Sequence, residues 1–149
     1  MRFGYFTALY DPGRERNYTQ LIDDAREEAV LADRLGYDTY WVGEHHFGHE
    51  GMDNLPNPIL LPTDLASRTK QIRIGTLAVI STFWHPLRLA EDIAMLDVMT
   101  KGRVEIGLGR GIYPRESVNL NIKSDVRDES ISRELFKETL DIMKKAWTE

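Results

Sequence analysis

The chain has 149 residues, enough for one domain with a sizeable buried core. Its 42% hydrophobic and 29% charged content is ordinary for a globular protein, and a net charge of −5 without a basic cluster argues against nonspecific nucleic-acid binding. The absence of cysteine excludes disulfides and thiolate chemistry, and the longest apolar run, Thr76 to Trp84, is too short to span a bilayer, so a cytoplasmic protein with no membrane partner is expected.

Arg2 to Ala8 reads as a first strand, leaving no room for a signal peptide ahead of it, and Tyr10-Asp11-Pro12-Gly13 supplies turn chemistry. Asn17 and Gln20 have capping-box spacing, and Leu21, Ile22, Ala25, Ala29 and Ala32 follow with helical periodicity until Gly36, placed for a left-handed cap. A second strand runs from about Thr39 to Gly43. The stretch from Phe47 to Asn57 is rich in Gly, Asn and Pro, and a helix to about Thr69 begins at either Pro58 or Pro62. Ile72 to Ile80 is a third strand, Pro86 opens a helix that Gly102 closes, and Val104 to Leu108 is a fourth strand. Gly109 to Asp128 reads as a long loop of the kind that often carries function. A last helix spans about Glu129 to Trp147.

Strand and helix alternate four times with short connections, and no repeat or linker interrupts residues 1–149, so no internal domain boundary is placed. This order implies parallel strands joined by right-handed crossovers. Two architectures fit it: an open four-stranded α/β sheet, or four units of an eightfold β/α barrel.

Three stretches carry candidate chemistry. The second strand ends in Glu44-His45-His46, polar residues that serve no core, at the end of a strand where barrel enzymes keep their reacting groups. With His49 the run tempts a metal reading. Adjacent strand residues face opposite ways, however, and His45 and His49 meet only on a helix that Gly48 and Gly51 disfavour. A catalytic or ligand-binding imidazole is favoured over a capping histidine and over a metal ligand. The fourth strand ends in Gly107-Leu108-Gly109-Arg110-Gly111, whose glycines let backbone approach a ligand and which lacks the spacing of a Walker or dinucleotide fingerprint. In a barrel the second and fourth strands contribute to one layer, so a Glu44–Arg110 ion pair is the economical expectation for two buried charges. The third stretch, Ser81-Thr82-Phe83-Trp84-His85-Pro86, offers either a surface for a planar ligand or a cap for the helix at Pro86.

Arg2-Phe3-Gly4-Tyr5-Phe6, Gly36-Tyr37-Asp38-Thr39-Tyr40-Trp41, Glu44-His45-His46-Phe47, His85-Pro86, Lys101-Gly102-Arg103 and Gly109-Arg110-Gly111-Ile112-Tyr113 together resemble the bacterial luciferase-like flavin-dependent monooxygenases, in order along the whole chain. The resemblance implies a (β/α)8 TIM-barrel type fold with only its first four β/α units present, a half barrel. It implies oxidation of a small organic substrate such as an aldehyde by O₂ and reduced FMN, the flavin coming from a separate reductase, in a homo- or heterodimer. By resemblance His45 is the active-site histidine, with Glu44 and Arg110 orienting the pocket. Leu77 and Ala78 are joined by a cis peptide beneath the flavin ring, Gly109 and Arg110 lie near the flavin, and Tyr113 is on the mobile side of the pocket. Gly109 stands where the light-emitting α subunit carries a reactive cysteine, which disfavours luminescence. A barrel of this type needs about 250 residues, and the family's phosphate-holding residues lie mostly in its second half. This chain alone is therefore expected to be inactive, to bind FMN weakly and to self-associate through open strand edges. Two alternatives are a non-catalytic partner subunit and a deazaflavin-dependent relative.

Overall fold

A computed structural model of the chain describes residues 1–48 and 54–149. The elements are β1 (Gly4–Thr7), α1 (Tyr18–Leu35), β2 (Thr39–Val42), α2 (Leu60–Arg68), β3 (Arg73–Ile80), α3 (Pro86–Thr100), β4 (Val104–Gly109), α4 (Pro114–Leu120) and α5 (Glu129–Thr148), with 3₁₀ turns at Ser81–Phe83 and Ile122–Ser124. Among the described residues no helix is long and apolar enough to cross a membrane.

Local chemistry sets the helix ends. Asn17 accepts the Gln20 amide and Gln20 returns a bond to the Asn17 amide, closing the capping box on α1, and Gly36 ends the helix at a φ of 78°. For α2 the start falls between the two prolines considered. The Asn57 side chain accepts the amides of Ile59 and Leu60, and Pro62 sits in the first turn, where a missing N–H costs nothing. Arg103 spreads its guanidinium over the end of α2 and the end of α3, donating to the carbonyls of Ala66 (2.9 Å), Ile72 (2.8 Å) and Thr100 (3.0 Å).

All four strands are parallel and pair in the order β1-β2-β3-β4. Each crossover therefore steps one strand in the same direction, which is the order a barrel requires and not that of a doubly wound sheet. One face of the sheet carries the helices. Tyr40, Val42 and Ile74 pack under α1 and α2, and Val79, Leu89, Ile93, Leu96 and Met143 form a second cluster beneath α3 and α5. On the opposite face the Trp41 indole lies flat across β1 and β3. A Cβ at Gly4 would sit 2.6 Å from its Nε1, and one at Gly75 2.4 Å from its Cε3, so both positions are held to glycine by that ring.

The stretch from Gly109 to Asp128 corrects the expectation of a long loop. It holds α4 and the Ile122–Ser124 turn. Pro114 occupies the first turn of α4, and Asn121 caps the following turn through the Lys123 amide. At 7 residues α4 is too short to display an amphipathic period that sequence can reveal.

Candidate functional site

The polar tip of β2 is built as two carboxylate–imidazole pairs. Glu44 is 2% exposed. Its carboxylate accepts the Ile80 amide at 2.5 Å, the Trp84 indole N–H at 3.0 Å and a contact from His46 Nε2 at 3.1 Å. Residues two apart on an extended chain share a side, which is why Glu44 reaches His46 and not His45. His45 turns the other way and meets Glu116, whose Oε1 lies 3.4 Å from His45 Nδ1 and accepts the His46 amide at 2.8 Å. Burial pushes the Glu116 carboxyl up, but the His45 contact, the His46 amide and the charge of the two imidazoles outweigh it and hold the group below the usual carboxylate range.

The expected Glu44–Arg110 pair does not form. Arg110 donates to Ser132 Oγ at 2.5 Å, a buried hydroxyl in the first turn of α5, and Glu44 takes three donors, from His46 beyond β2, Ile80 of β3 and Trp84 after the turn that follows it. Strand-end proximity was read as contact. In the folded chain, uncharged donors that arrive with β3 satisfy Glu44 before any guanidinium is needed. The polar side chains of the Ser81–Trp84 stretch serve the fold. Ser81 and Thr82 donate to the carbonyls of Gly109 (3.4 Å) and Arg110 (3.3 Å), bracing the end of β4, and Trp84 serves Glu44. His85 occupies the N-cap position of α3 without a side-chain cap bond. His49 lies outside the described residues. Among those described, no three His, Asp or Glu side chains gather as a metal would require.

A cleft of about 310 Å³ opens at the C-terminal ends of β2, β3 and β4. His45 and Glu116 line one side and Gly109, Arg110 and Gly111 another, with Leu77 and Ala78 between them. The Leu77–Ala78 peptide is cis, and the β3–β4 register shifts between Thr76 and Val79 beside it. Tyr113 stands over the His45 ring at 5.4 Å between centroids. Thus His45, Leu77, Ala78, Gly109, Arg110 and Tyr113, distant in sequence, come to one end of the sheet. Glu116 was missed, because a glutamate in the first turn of a short helix reads as a complement to the helix dipole and carries no further signal.

The sequence model of the luciferase-like monooxygenase family matches residues 1–149. The chain belongs to that family. It is 40% identical over 116 residues to the oxygenase component of a flavin-dependent trigonelline monooxygenase from Acinetobacter baylyi, covering 78% of this chain and 32% of that protein. It is 35% identical over 149 residues to the alkanal monooxygenase alpha chain of the Kryptophanaron alfredi symbiont, covering 100% of this chain and 40% of the relative. The fold superposes with a TM-score of 0.88 and 32% identity on the oxygenating constituent of 3,6-diketocamphane monooxygenase from Pseudomonas putida, a type II Baeyer-Villiger monooxygenase solved with FMN. That match covers 99% of this chain and 39% of the other. The chain thus spans well under half the length of the relatives it matches.

Proposed function

We propose that residues 1–149 form the first four β/α units of a luciferase-like (β/α)8 barrel that uses reduced FMN and O₂ to oxidise a small organic substrate such as an aldehyde. The observation that carries this reading is the cleft itself. His45 and Arg110 face it across an apolar floor of Leu77, Ala78 and Ile80, at the strand ends where barrels keep their sites. A slot with an apolar floor, one cation, one imidazole and two carboxylates already met by donors of the fold suits a planar ring system, so the residues present fit the flavin ring of FMN. Gly109 and Gly111 keep the β4 side of the slot open, and a side chain at Gly109 would press within 3.2 Å of Ala78 Cβ. The relatives named as flavin-dependent, and the one solved with FMN, support the same cofactor.

When bound, reduced FMN supplies the electrons and the O₂ chemistry. The chain's own residues orient and shield. Leu77, Ala78 and Ile80 exclude water from the ring site, Arg110 balances negative charge, and Tyr113 covers His45. His45 holds or passes a proton beside the reacting atoms, a task that an imidazole suits. Glu44, braced from three sides, fixes the end of β3 against the tip of β2 instead of meeting substrate. A separate reductase as source of reduced flavin accords with the trigonelline enzyme being an oxygenase component. A homo- or heterodimer remains part of the proposal, as do self-association of this chain alone through the open edges of β1 and β4, and weak FMN binding by it for want of the phosphate-holding residues of the barrel's second half.

The test is His45→Ala in the full-length protein, supplied with reduced FMN, O₂ and a panel of aldehydes. Flavin binding and the circular dichroism spectrum should be retained. Substrate oxidation should fall roughly 10²–10⁴-fold, with hydrogen peroxide released in its place. Oxidation at the parent rate would take the catalytic role away from His45, and no oxidation by the parent itself would favour the non-catalytic subunit reading.

A further inference from the structure

The mechanism leaves the buried carboxylate of Glu116, at the edge of the cleft, without a task. Glu116 is 1% exposed, comes from an element that follows β4, and meets the tip of β2 through His45 and the His46 amide. We propose that Glu116 is the positioning residue of this site, holding the proton of neutral His45 on Nδ1 so that Nε2 is the nitrogen that accepts. The catalytic weight of this role rests on the monooxygenase reading above; the tautomer itself does not.

The argument begins with what a carboxylate can do. An ionised carboxylate only accepts, so an imidazole nitrogen facing it must carry the hydrogen. A neutral imidazole has one N–H, and placing it on Nδ1 leaves the lone pair on Nε2. Among the described residues, the other carboxylate at this tip, Glu44, does not reach His45. Glu44 lies on the opposite side of the strand tip and its oxygens already receive Ile80, Trp84 and His46. Each histidine of the pair therefore has its own carboxylate, and the two are not interchangeable.

Glu116 is also held where it must be. Its strong bond is to the His46 amide at 2.8 Å, which anchors the carboxylate to the backbone and leaves the longer 3.4 Å contact to set the His45 ring. Residues beside Glu116 also clamp His45, His46 and Phe47. Arg115 Nη2 donates to the His46 carbonyl at 3.3 Å, its guanidinium lies 6.0 Å over the Phe47 ring, and Tyr113 packs on His45. Asn121 ties the far end of α4 to the Thr82 carbonyl at 2.8 Å. Burying a carboxylate is costly unless donors meet it, and every donor named here comes from the His45–His46 segment. A side chain that served only to begin a short helix would point its oxygens at that helix's own amides.

The experiment reads the tautomer directly, by ¹⁵N chemical shifts of His45 in the full-length protein at a pH where the ring is neutral. The parent should show the proton on Nδ1. Glu116→Gln keeps an acceptor oxygen and should retain that tautomer, whereas Glu116→Ala should move the proton toward Nε2. In turnover with reduced FMN, Glu116→Ala should lower kcat roughly 10–100-fold with KM and flavin affinity little changed, and Glu116→Gln should recover most of the loss. A parent with its proton on Nε2, or a Glu116→Ala variant with the parent's tautomer, overturns the proposal. If Glu116→Ala does not fold, the parent and the Glu116→Gln spectra still decide it. Should the full-length protein oxidise no substrate while the tautomer responds as described, the monooxygenase reading fails and the positioning by Glu116 stands.

Discussion

The two ends of the sheet use the same kinds of residue to opposite effect. At the N-terminal end of the strands, Arg73 Nε meets Glu105 at 2.6 Å, Arg2 Nη2 meets the same carboxylate at 3.2 Å, and Asp38 takes the Phe3 amide at 2.6 Å. Guanidinium meets carboxylate here in paired ionic contacts, so this end is an electrostatic lock. At the C-terminal end, Glu44 and Glu116 meet imidazoles and backbone amides, and the nearby guanidinium of Arg110 is turned to Ser132. Imidazoles titrate near neutrality, so protons there can move. Partner choice, and not charge content, separates the end that holds the fold from the end that carries the proposed chemistry.

Removing the acceptor at the heart of the C-terminal end should have the largest effect on stability. Glu44→Ala leaves the Ile80 amide and the Trp84 indole N–H without their acceptor in a buried setting, and should cost about 3 kcal/mol. The denaturant midpoint measures it; a shift under half that size would mean that water replaces the carboxylate. The opposite end should be gentler. Glu105 meets partly exposed Arg73 and Arg2, and Glu105→Ala should cost about 1 kcal/mol and leave flavin affinity and turnover in the full-length protein as they were. A turnover loss there comparable to that of His45→Ala would break the comparison.

The smallest effect sharpens it through pH. Because Glu116 is held below the usual carboxylate range, it contributes stability above the unfolded group's pKa of about 4.3 and loses it as pH falls through the lower folded value. Parent and Glu116→Gln should therefore differ most in denaturant midpoint near pH 7 and draw together below about pH 4. A gap that widens on acidification would mean that the carboxyl is protonated in the fold.

How much of the site was legible in sequence follows from the range of each signal. His45, Leu77, Ala78, Gly109, Arg110 and Tyr113 stood in motifs, and the fold brings them to one end of the sheet. The Glu44–Arg110 pair was an inference from shared layer alone, and layer sharing says only that two side chains could meet. Glu116 had no motif. Its carboxylate becomes informative only when α4 lays it against His45 and the His46 amide, residues 71 and 70 positions earlier.

Sequence by itself determined the elements whose causes are local: the Asn17–Gln20 capping box, the left-handed stop at Gly36, Pro86 opening α3 and the parallel order implied by strand–helix alternation. Such signals act within a turn or two of the chain, so neighbouring residues suffice to read them. Only the tertiary structure decided where the buried carboxylates found their donors. Glu44 took the amide of Ile80 and the indole of Trp84, Arg110 took Ser132, and Glu116 took the tip of β2. A buried charge is satisfied by whichever donor the packing delivers to it, and packing between residues tens of positions apart leaves no periodicity in the sequence to announce it.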